Sequence, residues 1–242
     1  MTTAAAVKRD LARLADKEKA TLLARFFKTG KGEYGEGDRF LGLAVPQQRS
    51  VAKLHADLPL AGIRELLRSP YHEHRLTALL ILVDRYGRAA KRKDDAEERK
   101  IYDFYLVNAA RVDNWDLVDL TAPNIVGRFL LGKERDVLYR LVRSRDLWER
   151  RIAIVATLAF IRERDLTDTF RLSGLLLGDR HDLIHKATGW MLREAGKRDQ
   201  AALERFLTKH AARMPRTALR YAIERFPERK RQRYLVRGKK RT

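Results

Sequence analysis

The 242 residues carry 52 Lys and Arg against 32 Asp and Glu, a formal net charge of +20, with 45% hydrophobic and 35% charged residues. That mixture buries a core and excludes a disordered chain. The absence of cysteine excludes disulfides, thiolate chemistry and cysteine-based zinc sites, and no apolar run approaches the roughly 20 residues of a membrane span or forms an N-terminal leader. The cytoplasm is therefore the default compartment. The basic excess points to a polyanionic partner, nucleic acid ahead of an acidic membrane surface or an acidic protein.

Taken in chain order, the first break in an otherwise helical pattern is residues 29–45, rich in glycine and charge. Gly30-Lys31-Gly32-Glu33-Tyr34-Gly35 spells G-x-G-x-x-G, but a dinucleotide site needs a strand before it and a helix directly after it. Here a helical stretch, 22–28, precedes it, and no Gly-Lys-Ser/Thr follows to make a P-loop. A flexible loop near the ligand surface is the better expectation. Apolar residues then recur at three- and four-residue spacing in 76–83, 101–107, 152–161 and 203–207. Asp94 predicts the start of a helix over 96–108, Asn114 one over 115–120, and Asp146 one over 147–161. Pro46, Pro70, Pro123, Pro215 and Pro227 fall near expected starts, bends or ends. His72 and His74 are neighbours, and His181 and His185 have the i, i+4 spacing of metal ligands. No Glu follows His181 in the H-E-x-x-H manner, so the expectation is no metal and a surface or DNA-facing histidine pair. Residues 229–242 hold eight basic residues and no acidic one, and read as a solvated arm that adds phosphate affinity.

A loose repeat runs through the helical part. Arg75-Leu76-Thr77-Ala78, Arg151-Ile152-Ala153-Ile154, Lys186-Ala187-Thr188-Gly189 and Arg216-Thr217-Ala218-Leu219 each open an apolar helix. The last three lie 35 and 30 residues apart, the period of helix-pair repeats. The predicted fold is all-α, a solenoid of helix pairs whose stacking buries a continuous core. Equivalent cations would then form a ladder along a concave face. With no clear linker, the expectation is one domain over 1–228 followed by the basic tail 229–242.

Two stretches carry candidate chemistry. In Asp113-Asn114-Trp115-Asp116-Leu117-Val118-Asp119, Trp115 and Asp119 are i and i+4 and share a helix face, while Asp116 points about 100° away. Helix-start electrostatics account for Asp116. They account less well for Asp119, in the second turn beside a large aromatic, although Trp115 alone would suit a plain core. In Lys186-Ala187-Thr188-Gly189-Trp190-Met191-Leu192-Arg193-Glu194, an indole is flanked by cations on one side of a helix. Such a group can stack on a sugar or base while the cations hold phosphate; the alternative is a core Trp with extended neighbours.

With these stretches in order, together with Ala24-Arg25-Phe26-Phe27-Lys28, Phe40-Leu41-Gly42-Leu43, Ala122-Pro123, Leu147-Trp148-Glu149-Arg150-Arg151 and Arg216-Thr217-Ala218-Leu219-Arg220-Tyr221-Ala222-Ile223-Glu224, residues 10–228 resemble the AlkD-like DNA alkylation repair glycosylases. The resemblance implies a right-handed superhelix of HEAT-like helix pairs with a basic concave groove. It implies excision of cationic N3- and N7-alkylpurines, such as 3-methyladenine and 7-methylguanine, from duplex DNA in base excision repair, without metal or cofactor. It makes Asp119, Trp115 and Trp190 the catalytic residues and Arg151 and Arg193 contacts to the DNA backbone; Lys186 and Lys28 are further expected DNA contacts. It also implies that the lesion stays stacked and is attacked from the backbone side. The chain departs from the family pattern in its long loop at 29–38, in having Phe26 where a tyrosine is expected, and in lacking an aromatic pair before Lys186. The implied partner is double-stranded alkylated DNA, met by a monomer associated with the nucleoid. A non-catalytic helical-repeat binder of DNA or RNA, and a HEAT-like scaffold for an acidic protein, are the alternatives.

Overall fold

A computed structural model describes residues 2–237. Among them every regular element is helical, and extended pairing is confined to one isolated bridge between Arg39 and Tyr71. The chain packs as two compact units, Met1–Ile125 and Val126–Thr242. Composition carries no sign of the boundary because it falls inside a helical turn, Pro123–Gly127, rather than in a polar linker.

The first unit contains α1 (Ala4–Ala12), α2 (Lys17–Phe26), α3 (Val45–Leu54), α4 (Leu60–Leu67), α5 (His72–Arg92), α6 (Asp95–Val107) and α7 (Trp115–Thr121). Its centre is α5. Residues 72–82 of this helix are buried without a break, because α3, α4, α6 and α7 cover it on all sides. Lys93 then closes α5 in the left-handed conformation, φ 57°, and Asp94 caps α6 by accepting from Glu97 N at 3.0 Å. The predicted caps thus stand at Asp94 and Asn114. Gly42 has a positive φ of 89°, and a β-carbon there would overlap the carbonyl oxygen of Asp16, so only glycine lets this loop lie against the start of α2.

The second unit contains α8 (Asp136–Leu141), α9 (Leu147–Ala156), α10 (Leu158–Arg162), α11 (Thr167–Leu175), α12 (Asp182–Arg198), α13 (Gln200–His210), α14 (Arg216–Ala222) and α15 (Glu228–Arg237). Here α12 is central and touches α9, α10, α11, α13 and α14. Gly189 permits the closest of these contacts: a β-carbon would stand 2.5 Å from both Ala218 O and Tyr221 Cβ of α14. Three expectations change. The helix predicted over 147–161 is broken at Thr157, whose hydroxyl donates back to Ile154 O at 2.7 Å and tightens the turn. The expected solvated arm is helical through Arg237, because Tyr234 buries its ring against Phe226; residues 238–242 of that arm lie outside the described residues. The recurrent cations do not form an exposed ladder. Arg75 and Arg151 are buried, and Arg216 donates to Leu235 O at 2.7 Å. A guanidinium fork satisfies buried carbonyls and carboxylates well, which suits the three arginines to these places; Lys186, the fourth cation, pairs with Asp182 at 2.7 Å.

Candidate active site

The site grows from the first turn of α7. Asn114 precedes it in extended conformation, and its Oδ1 accepts from Trp115 N at 2.8 Å. Asp116 turns back onto Leu117 N at 2.9 Å. With the turn fixed, Trp115 and Asp119 project from one face, and both line a cavity of about 390 Å³. Phe26, Phe27, Phe40, Leu43, Gln48, His72 and Asp116 complete much of its wall. The volume lies within the range of small-molecule sites.

Aromatic contacts make the cavity rigid on one side and open on the other. Phe27 is buried and stacks on Trp115, ring centroids 5.2 Å apart and planes 15° apart. It also meets Phe40 at 5.1 Å, the His72 ring at 4.8 Å and, edge-on, Phe26 at 5.2 Å. Phe26 meets Trp115 edge-on at 5.9 Å, yet is 63% exposed, so an apolar ring stands in water at the cavity's edge. As a phenylalanine it offers no hydroxyl there.

Behind the rings lies a buried ionic network. His72 Nε2–H donates to Asp116 Oδ2 at 2.8 Å, and its Nδ1–H to Asp38 Oδ2 at 3.2 Å. Asp38 also receives Arg75 Nη2 and, at 3.1 Å, Asn114 Nδ2, so one carboxylate ties the loop to α5 and to the cap of α7. Arg75 in turn pairs with Asp113 at 3.1 Å. Burial alone would lower the His72 pKa; the charge and hydrogen bond of Asp116, joined by Asp38, reverse this and raise it to about 9. Burial likewise works against the Asp38 carboxylate, but His72 and Arg75 hold it below the ordinary range. His74, the other half of the expected pair, takes no part. Burial, with help from Lys8 and Arg75, lowers its pKa to about 4, and Nδ1 lies 2.7 Å from Ser69 Oγ. Tyr105 is buried beneath α7, 2.9 Å from Thr121 Oγ1, and is raised by burial and by the nearby Asp119 charge.

The loop carrying Phe40 and Leu43 is held from below. Glu73, fully buried on α5, accepts from Leu41 N at 2.9 Å, Gly42 N at 2.8 Å and Leu43 N at 3.2 Å. The glycine-rich segment before it closes on itself. Gly30 N donates to Glu33 at 3.0 Å and Gly32 N to Glu36 at 2.8 Å. Amides already held by carboxylates make no phosphate cradle, in line with the reading of this motif as a loop.

The other residues singled out from the sequence stand elsewhere. Lys28 is exposed at the end of α2, with φ 53°. Trp190 belongs to the second unit, where it lines a cleft of about 400 Å³ with Leu158, Ile161, Arg162, Glu194, Lys197 and Arg198. Lys186 pairs with Asp182 at 2.7 Å, and Arg193 with Glu224 and with Glu194 at 3.4 Å. Arg151 is buried and donates to Leu183 O. His181 caps α12 by accepting from Leu183 N at 3.2 Å, and His185 donates to Asp179 O at 2.6 Å, so both are committed within the fold. No group of three His, Asp or Glu among the described residues is arranged to hold a metal ion, and no helix there is long and apolar enough to cross a membrane. Sequence reasoning missed Asp38 and Glu73, and saw His72 only as a neighbour of His74.

The sequence model of a family described as DNA alkylation repair enzyme matches residues 7–226. A solved structure described as a predicted DNA alkylation repair enzyme from Enterococcus faecalis is 16% identical, covers 88% of this chain and 97% of that chain, and superposes with a TM-score of 0.68, which establishes a shared all-α solenoid-type fold. No curated protein matches the chain in sequence.

Proposed function

Since the chain belongs to the DNA alkylation repair enzyme family and so acts on DNA in the repair of alkylation damage, we propose that it is a monofunctional DNA glycosylase for cationic N3- and N7-alkylated purines. The observation that carries the reading is Asp119 beside Trp115 on the wall of an aromatic cavity in a protein of net charge +20. A protein that only gripped phosphate would gain nothing from a carboxylate there. A reaction that develops positive charge would.

In the proposed reaction the C1′–N bond of the lesion breaks heterolytically, and its electron pair neutralises the departing cationic base. The deoxyribose becomes oxocarbenium-like. The Asp119 carboxylate stabilises that charge and orients water, which bonds to C1′ and releases a proton, leaving free alkylpurine and an abasic site. Trp115 offers an indole to the same charge by cation–π attraction. Trp190, in the second unit, is proposed as a catalytic indole on the family resemblance alone. Because the alkylated base leaves as a neutral molecule, the reaction calls for no cofactor. Lys28 is proposed as a direct phosphate contact. Lys186 and Arg193 would have to exchange a carboxylate for a phosphate, and Arg151 would contribute through the α12 carbonyl it already holds.

The test is incubation with methylated duplex DNA and detection of released 3-methyladenine and 7-methylguanine. Asp119→Asn is expected to cut release by about 10²–10³-fold, the usual consequence of losing one charge-stabilising group, with DNA affinity kept. Full activity in this variant sinks the mechanism. DNA binding by the wild type without base release favours the non-catalytic binder.

A further inference from the structure

His72 has no place in that reaction scheme, yet it is buried against the cavity and joins three elements of the first unit. It opens α5, pairs with Asp38 of the loop and with Asp116 of α7, and lies against Phe40 (4.8 Å, planes 21° apart) and Phe27. We propose that His72 is the positioning residue of this cavity, holding α7 to the loop through paired bonds to Asp116 and Asp38 and so setting where Trp115 and Asp119 stand. The proposal rests on the reading of Trp115 and Asp119 as the reacting pair.

Two independent geometric facts support it. Asp116 immediately follows Trp115, so a bond that fixes Asp116 fixes the first turn of a seven-residue helix too short to hold itself. Phe27 touches both His72 and Trp115, so the imidazole also sets the wall on which the indole stacks. Charge makes the arrangement depend on protonation. The groups around His72 are Asp38 on the loop, Asp116 and Asp119 on α7, Asp113 just before α7, and Glu73 and Arg75 on its own helix. Five carboxylates face two cations, and loss of the imidazole proton would leave Arg75 as the sole cation of this set. Both ring nitrogens now donate. A neutral imidazole donates from only one, so one carboxylate would lose its bond. The raised pKa of about 9 keeps both bonds at neutral pH.

The test uses the full chain with His72→Gln and Asp116→Asn. Single-turnover release of 7-methylguanine is measured from pH 6 to 10, alongside DNA affinity and the amide–indole NMR signal of Trp115, assigned by its loss in Trp115→Phe. The wild-type to His72→Gln rate ratio cancels ionisation of the substrate. It is expected to be about 10–100-fold near pH 7, the scale of a small misplacement of reacting groups, with DNA affinity unchanged, and to fall toward 1 above pH 9. Asp116→Asn is expected to move the alkaline midpoint down by at least one pH unit, because the main charge raising His72 is gone. A ratio that stays constant across the range, or an unshifted midpoint in Asp116→Asn, overturns the proposal. If His72→Gln fails to fold, Asp116→Asn alone decides. If the wild type releases no base, the glycosylase reading fails, and the Trp115 signal decides the positioning role separately. A titration near pH 9 that shifts in Asp116→Asn supports it, and a pH-insensitive signal overturns it.

Discussion

Replacing Glu73 should loosen the floor of the cavity without touching any reacting group. Its carboxylate is fully buried and accepts three successive backbone amides, Gly42 and Leu43 on Oε1 and Leu41 on Oε2. Hydrogen bonds to charged acceptors contribute about 1.5–3 kcal/mol each, and an orphaned buried donor costs about 1–3 kcal/mol. Glu73→Gln keeps one oxygen for Gly42 and Leu43 but turns a donor toward Leu41 N and removes the charge, for a loss of about 3 kcal/mol. Glu73→Ala strands all three amides, for a loss of about 5 kcal/mol after relaxation and hydration. For a unit the size of Met1–Ile125, the first loss lowers its melting midpoint by about 10 °C. Calorimetry and urea titration of the two variants measure this. Glu73→Gln melting within about 1 °C of wild type would refute the account, as would equal losses in Gln and Ala.

The His72 linkage gives a pH dependence of stability. Its folded pKa of about 9 lies above the ordinary 6.5, so the folded state binds the proton more tightly. The stabilisation is complete below pH 6.5 and disappears as pH rises through 9, amounting to something on the order of 3 kcal/mol. Urea midpoints at pH 7 and 10 should differ accordingly in wild type and much less in His72→Gln. Gly42→Ala should cost more than about 2 kcal/mol, since its φ of 89° and the Asp16 carbonyl both exclude a β-carbon; an unchanged melting curve would count against the loop geometry. Arg151→Ala is expected to lower the thermal midpoint of the second unit, because it strands the buried Leu183 carbonyl partner. Weaker salt dependence of DNA binding with an unchanged midpoint would instead show a guanidinium that meets phosphate directly. Asp182→Ala should strengthen DNA binding and steepen its salt dependence if Lys186, relieved of its 2.7 Å ion pair, contacts the backbone.

The sequence by itself determined the helical character of the chain and its polyanionic partner. Helix periodicity, the caps at Asp94, Asn114 and Asp146, and the excess of Lys and Arg are local or additive properties that need no third dimension. It also brought Trp115 and Asp119 onto one face, because i, i+4 geometry follows from helix pitch alone. Only the tertiary structure decided what lies opposite that face. Asp38, His72 and Asp116 are separated by 34 and 44 positions and meet solely because α5 is covered by the loop and by α7. Spacing offered His72 and His74 as a pair. Burial gave one of them two carboxylates and the other a serine hydroxyl, moving their pKa values to about 9 and about 4. The break at Thr157, the two-unit division and the helix formed by the basic tail were hidden as well. The division depends on contacts between residues distant in sequence, the break at Thr157 on a local hydroxyl bond to Ile154 O, and the tail helix on packing of Tyr234 against Phe226; periodicity reports which face of a helix is apolar but not what covers it.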